Sequence, residues 1–283
     1  MLLGAGTGWG AALGRGRVAR LDVIDVASAN VARMNNYLLG GKDHYPADRE
    51  ACQRLLHVAP TAQQVAEAGH RFLLRVTSHL AREYRVRQFV VFGAGLPTPV
   101  GVHQVAQSIN VGVRVVYADD DPLVLAHGRA LWEDGRRTLV VRASPLEAGR
   151  LLRDPAVRGL IDLSLPVAVL FVSVLHAIPE PAEPAAVMEH TAGLLVPGSF
   201  IAASHLVSED AAVRQQADSV LREAAGGRWG RVRPRAAVEP MFGALRLLTP
   251  GLVDVSQWRP GSARTEGDGS RAWAEYGAVA MVR

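Results

Sequence analysis

The stretch RQFVVFGAGLPTP, residues 87–99, decides the fold. Phe89, Val90, Val91 and Phe92 form an apolar run too short for a helix, and the run stops at Gly93-Ala94-Gly95. Aromatic and β-branched side chains closed off by glycines predict a strand buried on both faces that enters a tight turn. Thr98 and Pro99 then predict a helix over 99–108. Thr98 is its expected N-cap, and Pro99 takes the first helical position, where a missing N–H costs nothing.

Downstream the same alternation repeats. Strands are predicted over 114–118, 138–142, 167–175 and 199–205, and helices over 122–133, 146–152, 184–195 and 209–225. Strands alternating with helices imply right-handed crossovers, hence an α/β fold with a mostly parallel sheet and helices on both faces. Two further apolar segments, 251–255 and 276–282, are placed to close the sheet edge, with a polar exposed loop over 260–271 between them. Upstream, Val31, Met34, Leu38 and then Ala51, Leu55, Val58 recur at three and four residues, with breaks at Gly40-Gly41 and Pro60. That spacing predicts an α-helical lead-in over 23–85. The chain of 283 residues is thus expected to divide into a leader (1–20) that is either disordered or not part of the true reading frame, an N-terminal helical cap or lid (21–86) and a Rossmann-like domain (87–283).

Composition narrows the function. Hydrophobic residues make up 49% and charged residues 20%, values of a folded globular chain. No apolar run approaches the roughly 18 residues needed to span a bilayer. The 31 basic and 27 acidic residues leave +4, are interspersed, and form no basic run interleaved with aromatics. Neither a membrane nor a nucleic acid is therefore the expected partner. The single cysteine, Cys52, excludes an internal disulfide and a cysteine-based zinc cluster, and favours a cytoplasmic setting. The leader's GAGTGWG (4–10) has the glycines of a dinucleotide loop, but only three residues precede it, too few for the strand such a loop follows.

In an open parallel sheet the ligand lies outside the C-terminal strand ends. Gly93, Ala94 and Gly95 are the first candidates for holding it. The second strand ends in ADDDP (118–122), where the Asp119 carboxylate, with Asp120 beside it, is placed to accept hydrogen bonds from a ribose. Asp119 follows Gly93 by 26 residues, near the roughly 20-residue spacing of nucleoside-binding acids. Asp121 reads as the cap of the next helix, ahead of Pro122. The third glycine of the dinucleotide fingerprint is missing, which disfavours an NAD-dependent oxidoreductase. S-adenosyl-L-methionine has no pyrophosphate to cradle and suits the turn better. His176, at the end of the fourth strand, is the candidate catalytic base or substrate ligand, with His205 after the next strand as a second candidate. His103 and Gln104 read as structural. Gly40-Gly41-Lys42-Asp43 joins two helices able to cover the pocket as a lid, offering Tyr37, Lys42 and Asp43 to the ligand.

NVARMNNYLLGGKDHY (30–45) with ADRE (47–50), GLPT (95–98), VVYADDDP (115–122) with Ala126-His127, PVAVL (166–170) with Leu175-His176, PGS (197–199) and SQWRP (256–260) carry a family likeness. In this order they resemble the motifs of an actinobacterial S-adenosylmethionine-dependent methyltransferase-like family, from about residue 21 to the C-terminus. The resemblance implies a class I methyltransferase fold with the cofactor over Gly93 and Gly95 and its ribose on Asp119. It also marks departures. The family pattern has an acid for the methionyl end of the cofactor where this chain has Val91. Ser144 stands where an aspartate would face the adenine amino group, and Asn35 and Asn36 where Tyr and Asp are expected. The implied function is methyl transfer to a small molecule in secondary metabolism, with a homodimer as a candidate assembly. The alternative is a methyltransferase-fold protein with an altered cofactor site, serving as a binding module or catalysing a non-methylating reaction.

Overall fold

The computed structural model describes residues 24–180, 182–260 and 272–283. The leader, the glycine run 4–10 and most of the loop over 260–271 lie outside the described residues. In chain order the elements are α1 (Val31–Leu38), α2 (Pro46–Val58), α3 (Ala62–Glu83), β1 (Gln88–Phe92), α4 (Val102–Ile109), β2 (Arg114–Asp119), α5 (Pro122–Leu131) and β3 (Thr138–Arg142). Then come α6 (Ala148–Leu151), α7 (Pro155–Arg158), β4 (Ala168–Phe171), α8 (Pro184–Ala192), β5 (Phe200–Val207), α9 (Ala211–Ala224), β6 (Arg246–Leu247), β7 (Val253–Asp254) and β8 (Ala274–Met281).

The strands form one sheet in the order β3-β2-β1-β4-β5-β8-β6, with β7 also paired to β8. The first five run parallel, and β8 is antiparallel to β5, β6 and β7. The chain winds outward from β1 through β2 to β3, then returns to place β4 on the other side of β1. The crevice at this switch point, outside the ends of β1 and β4, is where such sheets bind ligands.

Period-two alternation sorts the central strands between two cores. Phe89 and Val91 of β1 face Phe72, Val76 and Leu80 of α3 and Val102 and Ala106 of α4. Val90 and Phe92 face Leu151 of α6, Ile161 and Met188 of α8. Phe72, Val76 and Leu80 are all fully buried, and each contributes about 1.5–3 kcal/mol by leaving water. A third cluster joins the cap to the domain: Met34, Leu38, Cys52 and Leu55 from α1 and α2 pack with Val220 and Leu221 of α9 and with Trp229.

Four expectations are corrected. The helix after the glycine turn starts at Val102, not at Pro99. Leu96 and Thr98 each precede a proline, which disfavours helical backbone at both. Thr98 donates its hydroxyl to Val100 O (2.9 Å) instead of capping. The cap is Gly101, whose N–H goes to the Gln104 side chain (2.6 Å), so Gln104 is structural as the sequence implies. Second, the fourth strand ends at Phe171, because Ser173 adopts φ +55° and leaves the extended region. Third, the segment predicted over 276–282 falls, up to Met281, in an interior strand, β8, flanked by β5 and β6. Fourth, the 146–152 helix breaks into a 3₁₀ turn, Pro145–Glu147, and the short α6.

Candidate functional site

The turn after β1 is held from below by β2. Gly93 N and Ala94 N both donate to Ala118 O (3.0 and 3.4 Å), and Gly95 N donates to Asp119 Oδ2 (3.0 Å). Three successive amides are thus spent inside the protein and do not form an outward cradle for phosphate oxygens. Gly93 has φ +64°, and a Cβ on it would lie 2.5 Å from Val174 Cγ2, so the turn touches the segment following β4. Only glycine satisfies both demands.

Asp119 is partly exposed at the end of β2. Its Oδ1 accepts Asp121 N (3.0 Å) and its Oδ2 accepts Gly95 N, so each oxygen keeps a lone pair for a further donor. Burial raises its pKa to about 6; the two backbone hydrogen bonds oppose that rise, and Asp120 and Asp121 reinforce it. Asp120 turns outward, 3.7 Å from Arg228 in an exposed ion pair. Asp121 caps α5, accepting Leu123 N (2.7 Å) and Val124 N (3.2 Å), as the sequence implies.

The cap reaches this acid through a chain of hydrogen bonds. Asp48, fully buried, accepts Asn30 N (2.9 Å), Tyr45 N (2.7 Å) and Arg33 Nε (2.8 Å). Asn30, the N-cap of α1, extends its amide to Asp121 Oδ2 (2.6 Å), and Asp121 N donates to Asp119. Asn36 shapes the Gly40-Gly41 turn by accepting Asp43 N (2.9 Å), and Asp43 lies 3.9 Å from His127 of α5. Tyr37 is half-buried with its ring edge-on to His44 at 5.0 Å. Lys42 is exposed and makes no hydrogen bond or ion pair with the described residues.

His176, the expected base, is held inside the protein rather than at its surface. It is buried on the 3₁₀ turn Leu175–Ala177, and its Nδ1 accepts Leu206 N (3.3 Å). Burial, with His205 and Arg233 nearby, pushes its pKa well below the usual histidine range. The ring is a neutral brace between the end of β4 and β5. His205 is also buried, between Leu206 O (2.7 Å) and Arg233 (2.9 Å), and burial lowers its pKa to about 4. His103 bonds the Tyr117 hydroxyl (2.9 Å), the structural role expected. Val91 is 3% exposed in the α3/α4 core, so its side chain does not open onto the crevice. Ser144 ends β3's loop, its N–H held by Glu147 (3.0 Å).

Sequence reasoning missed a second polar group beyond β4. Glu275 of β8, 2% exposed, accepts the hydroxyls of Ser173 (2.8 Å) and Ser204 (2.6 Å) on one oxygen, and burial raises its pKa to about 6. No motif announces this group, because its members lie 31 and 71 residues apart. A groove of about 1090 Å³ between α2 and α9, lined by Glu50, Arg54, His57 and Glu223 among others, holds none of the strand-end residues.

Asp119 and Glu275 carry a pH signature. Both take up a proton near pH 6 in the folded chain, above the ordinary carboxyl values of 3.8 and 4.5. Between about pH 4 and 6 the folded state therefore binds more protons than the unfolded one, and these groups favour folding less as pH rises through that window. Glu275→Gln is expected to flatten this decline in denaturation midpoints measured from pH 4.5 to 7; an unchanged slope would place the titration elsewhere.

A family model described as S-adenosyl methyltransferase matches residues 18–283. A DUF574-family protein of known structure from Streptomyces avermitilis is 34% identical, covering 93% of this chain and 100% of its own, with a TM-score of 0.83. A candidate methyltransferase from Thermobifida fusca is 33% identical, covering 92% and 97%, with a TM-score of 0.84. No curated protein matches. Among the described residues no helix is long and apolar enough to cross a membrane. With the model matching nearly the whole chain and two solved relatives sharing a third of its residues over the same fold, the protein belongs to the S-adenosyl methyltransferase family.

Proposed function

We propose that the protein is an S-adenosylmethionine-dependent methyltransferase acting on a small molecule, with the nucleoside seated on the glycine turn and Asp119. The observation that carries this reading is the Asp119 carboxylate, fixed by Gly95 N and Asp121 N while each oxygen keeps a free lone pair. Two vicinal hydroxyls are the natural donors for such a carboxylate. The inward commitment of the turn's amides supports a ligand without a pyrophosphate. When bound, the cofactor supplies a methyl group on a sulfonium. The chain's own part is to hold the nucleoside by Asp119, to keep the turn against Val174, and to close the crevice with the α1–α2 cap anchored through Asn30. Basic residues interspersed with acidic ones favour a small acceptor over a polyanion, and the single buried thiol suits the cytoplasm.

Calorimetric titration with S-adenosylhomocysteine tests the reading. Asp119→Ala is expected to weaken binding by about 1.5–3 kcal/mol, the worth of a hydrogen bond to a charged group. Asp120→Ala, which removes only an exposed ion pair, is expected to change affinity less than about twofold. An Asp119→Ala loss below about twofold would remove Asp119 from the site.

A second reading is favoured by Val91 and His176: the strand end presents no acid, and the expected base is a buried brace. On that reading the protein retains the fold without methyl transfer. Absence of S-adenosylhomocysteine binding by the intact chain would select it.

A further inference from the structure

We propose that the Ser173 hydroxyl, backed by the buried carboxyl of Glu275, is the seat for the ammonium at the amino-acid end of the S-adenosyl ligand. This assignment rests on the nucleoside reading above and adds the residues that receive the ligand's other end.

The sheet order supplies the first step. Asp119 ends β2; the glycine turn follows β1; Ser173 lies just beyond β4, on the side of β1 away from β2. Val174 packs directly against Gly93, which sets its neighbour Ser173 beside the turn. A ligand with its ribose on Asp119 and a chain crossing the turn has its far end on the β4 side.

Charge supplies the second. Glu275 has no basic partner among the described residues: its carboxyl meets the Ser173 and Ser204 hydroxyls and the Ser173 backbone N–H, and the charged group that acts on it, Asp254, is also acidic. A buried carboxyl with no counter-ion is costly, and a cation arriving with a ligand would offset that cost. The end of β1 offers no alternative, since Val91 and Phe92 are both buried in apolar cores.

Hydrogen-bond direction supplies the third. Ser173 N donates to Ser204 Oγ (2.8 Å), and the Ser173 hydroxyl donates to Glu275 Oε1. With its proton committed inward, Ser173 presents only lone pairs to the exterior and accepts from a donor such as an ammonium; a carboxylate finds no donor there. Ser173 is the exposed member, held at φ +55°, a left-handed conformation that serine rarely adopts and that the two bonds maintain. On the opposite side α3 seals the carboxyl: a Cβ at Gly69 would collide with Glu275 Oε2 and approach Ser173 Oγ to 2.7 Å. The approach left to a ligand is the one through Ser173.

Calorimetric titration of the full chain with two probes tests the assignment: S-adenosylhomocysteine, and 5′-methylthioadenosine, which keeps the nucleoside thioether and lacks the amino-acid end. Ser173→Ala and Glu275→Gln are each expected to weaken S-adenosylhomocysteine by about tenfold or more, one charge-assisted hydrogen bond, and to leave 5′-methylthioadenosine within about twofold. Thermal melting of both variants checks that they fold; Ser173→Ala, at an exposed position, carries the test if Glu275→Gln does not. Equal losses for the two probes, or no loss for S-adenosylhomocysteine, would overturn the assignment while leaving the nucleoside site standing. A wild-type chain that binds neither probe would remove the nucleoside site and this assignment with it.

Discussion

Asp48→Ala is expected to cost about 3–5 kcal/mol of folding stability, the loss typical of a buried ion pair stripped of one partner. Arg33 is 3% exposed, and its two terminal nitrogens already donate to Asp25 O and Ser28 O. Without the carboxylate its Nε is left buried and unpaired, and Asn30 N and Tyr45 N lose their acceptor as well. Guanidinium denaturation measures the loss. The double variant Arg33→Met with Asp48→Ala should recover part of it, because replacing both partners removes the stranded charge. A single-variant loss below about 1 kcal/mol would mean that water reaches Arg33 and that the network is a surface feature.

The same variant connects stability to function. Asp48 positions the Asn30 backbone, the Asn30 amide holds Asp121, and Asp121 N donates to Asp119. Loosening the first link is expected to weaken S-adenosylhomocysteine through the last, without removing any atom that touches the nucleoside. The cap packs with α9 and Trp229 through Met34, Leu38 and Leu55, so this coupling runs through a packed unit.

Much of this architecture is legible in the sequence because strands buried on both faces read as apolar runs, and the turns between them are punctuated by glycine and proline. β3 falls on the five residues the pattern predicts, and Asp121-Pro122 marks the start of α5. Where legibility fails, the cause is local competition or distance. Two X-Pro pairs delay α4 by three residues, and a two-residue strand such as Arg246–Leu247 leaves no periodic signal. Asp48 looks like a first-turn helix acid, which it is; that it also neutralises Arg33 follows only once α1 and α2 lie side by side. Ser173 and Glu275 are 102 residues apart, joined by a strand order that the sequence does not state.

Val91→Asp is expected to unfold or severely destabilise the chain, not to restore an acid to the cofactor site. The family likeness sets an acid at this position, which invites the opposite expectation. Within the run Phe89 to Phe92 every residue is buried, so the sequence alone does not say which face Val91 takes. The structure turns it with Phe89 toward Phe72, Val102 and Leu170, leaving 3% of its surface exposed and no basic group in that cluster. An aspartate there either remains charged without a partner or takes up a proton, and each route costs several kcal/mol relative to valine. A soluble, cooperatively folded variant that binds S-adenosylhomocysteine more tightly than wild type would show that the β1 end can rotate its side chain into the crevice. It would also return the ammonium to the first strand and leave Ser173 and Glu275 without that role.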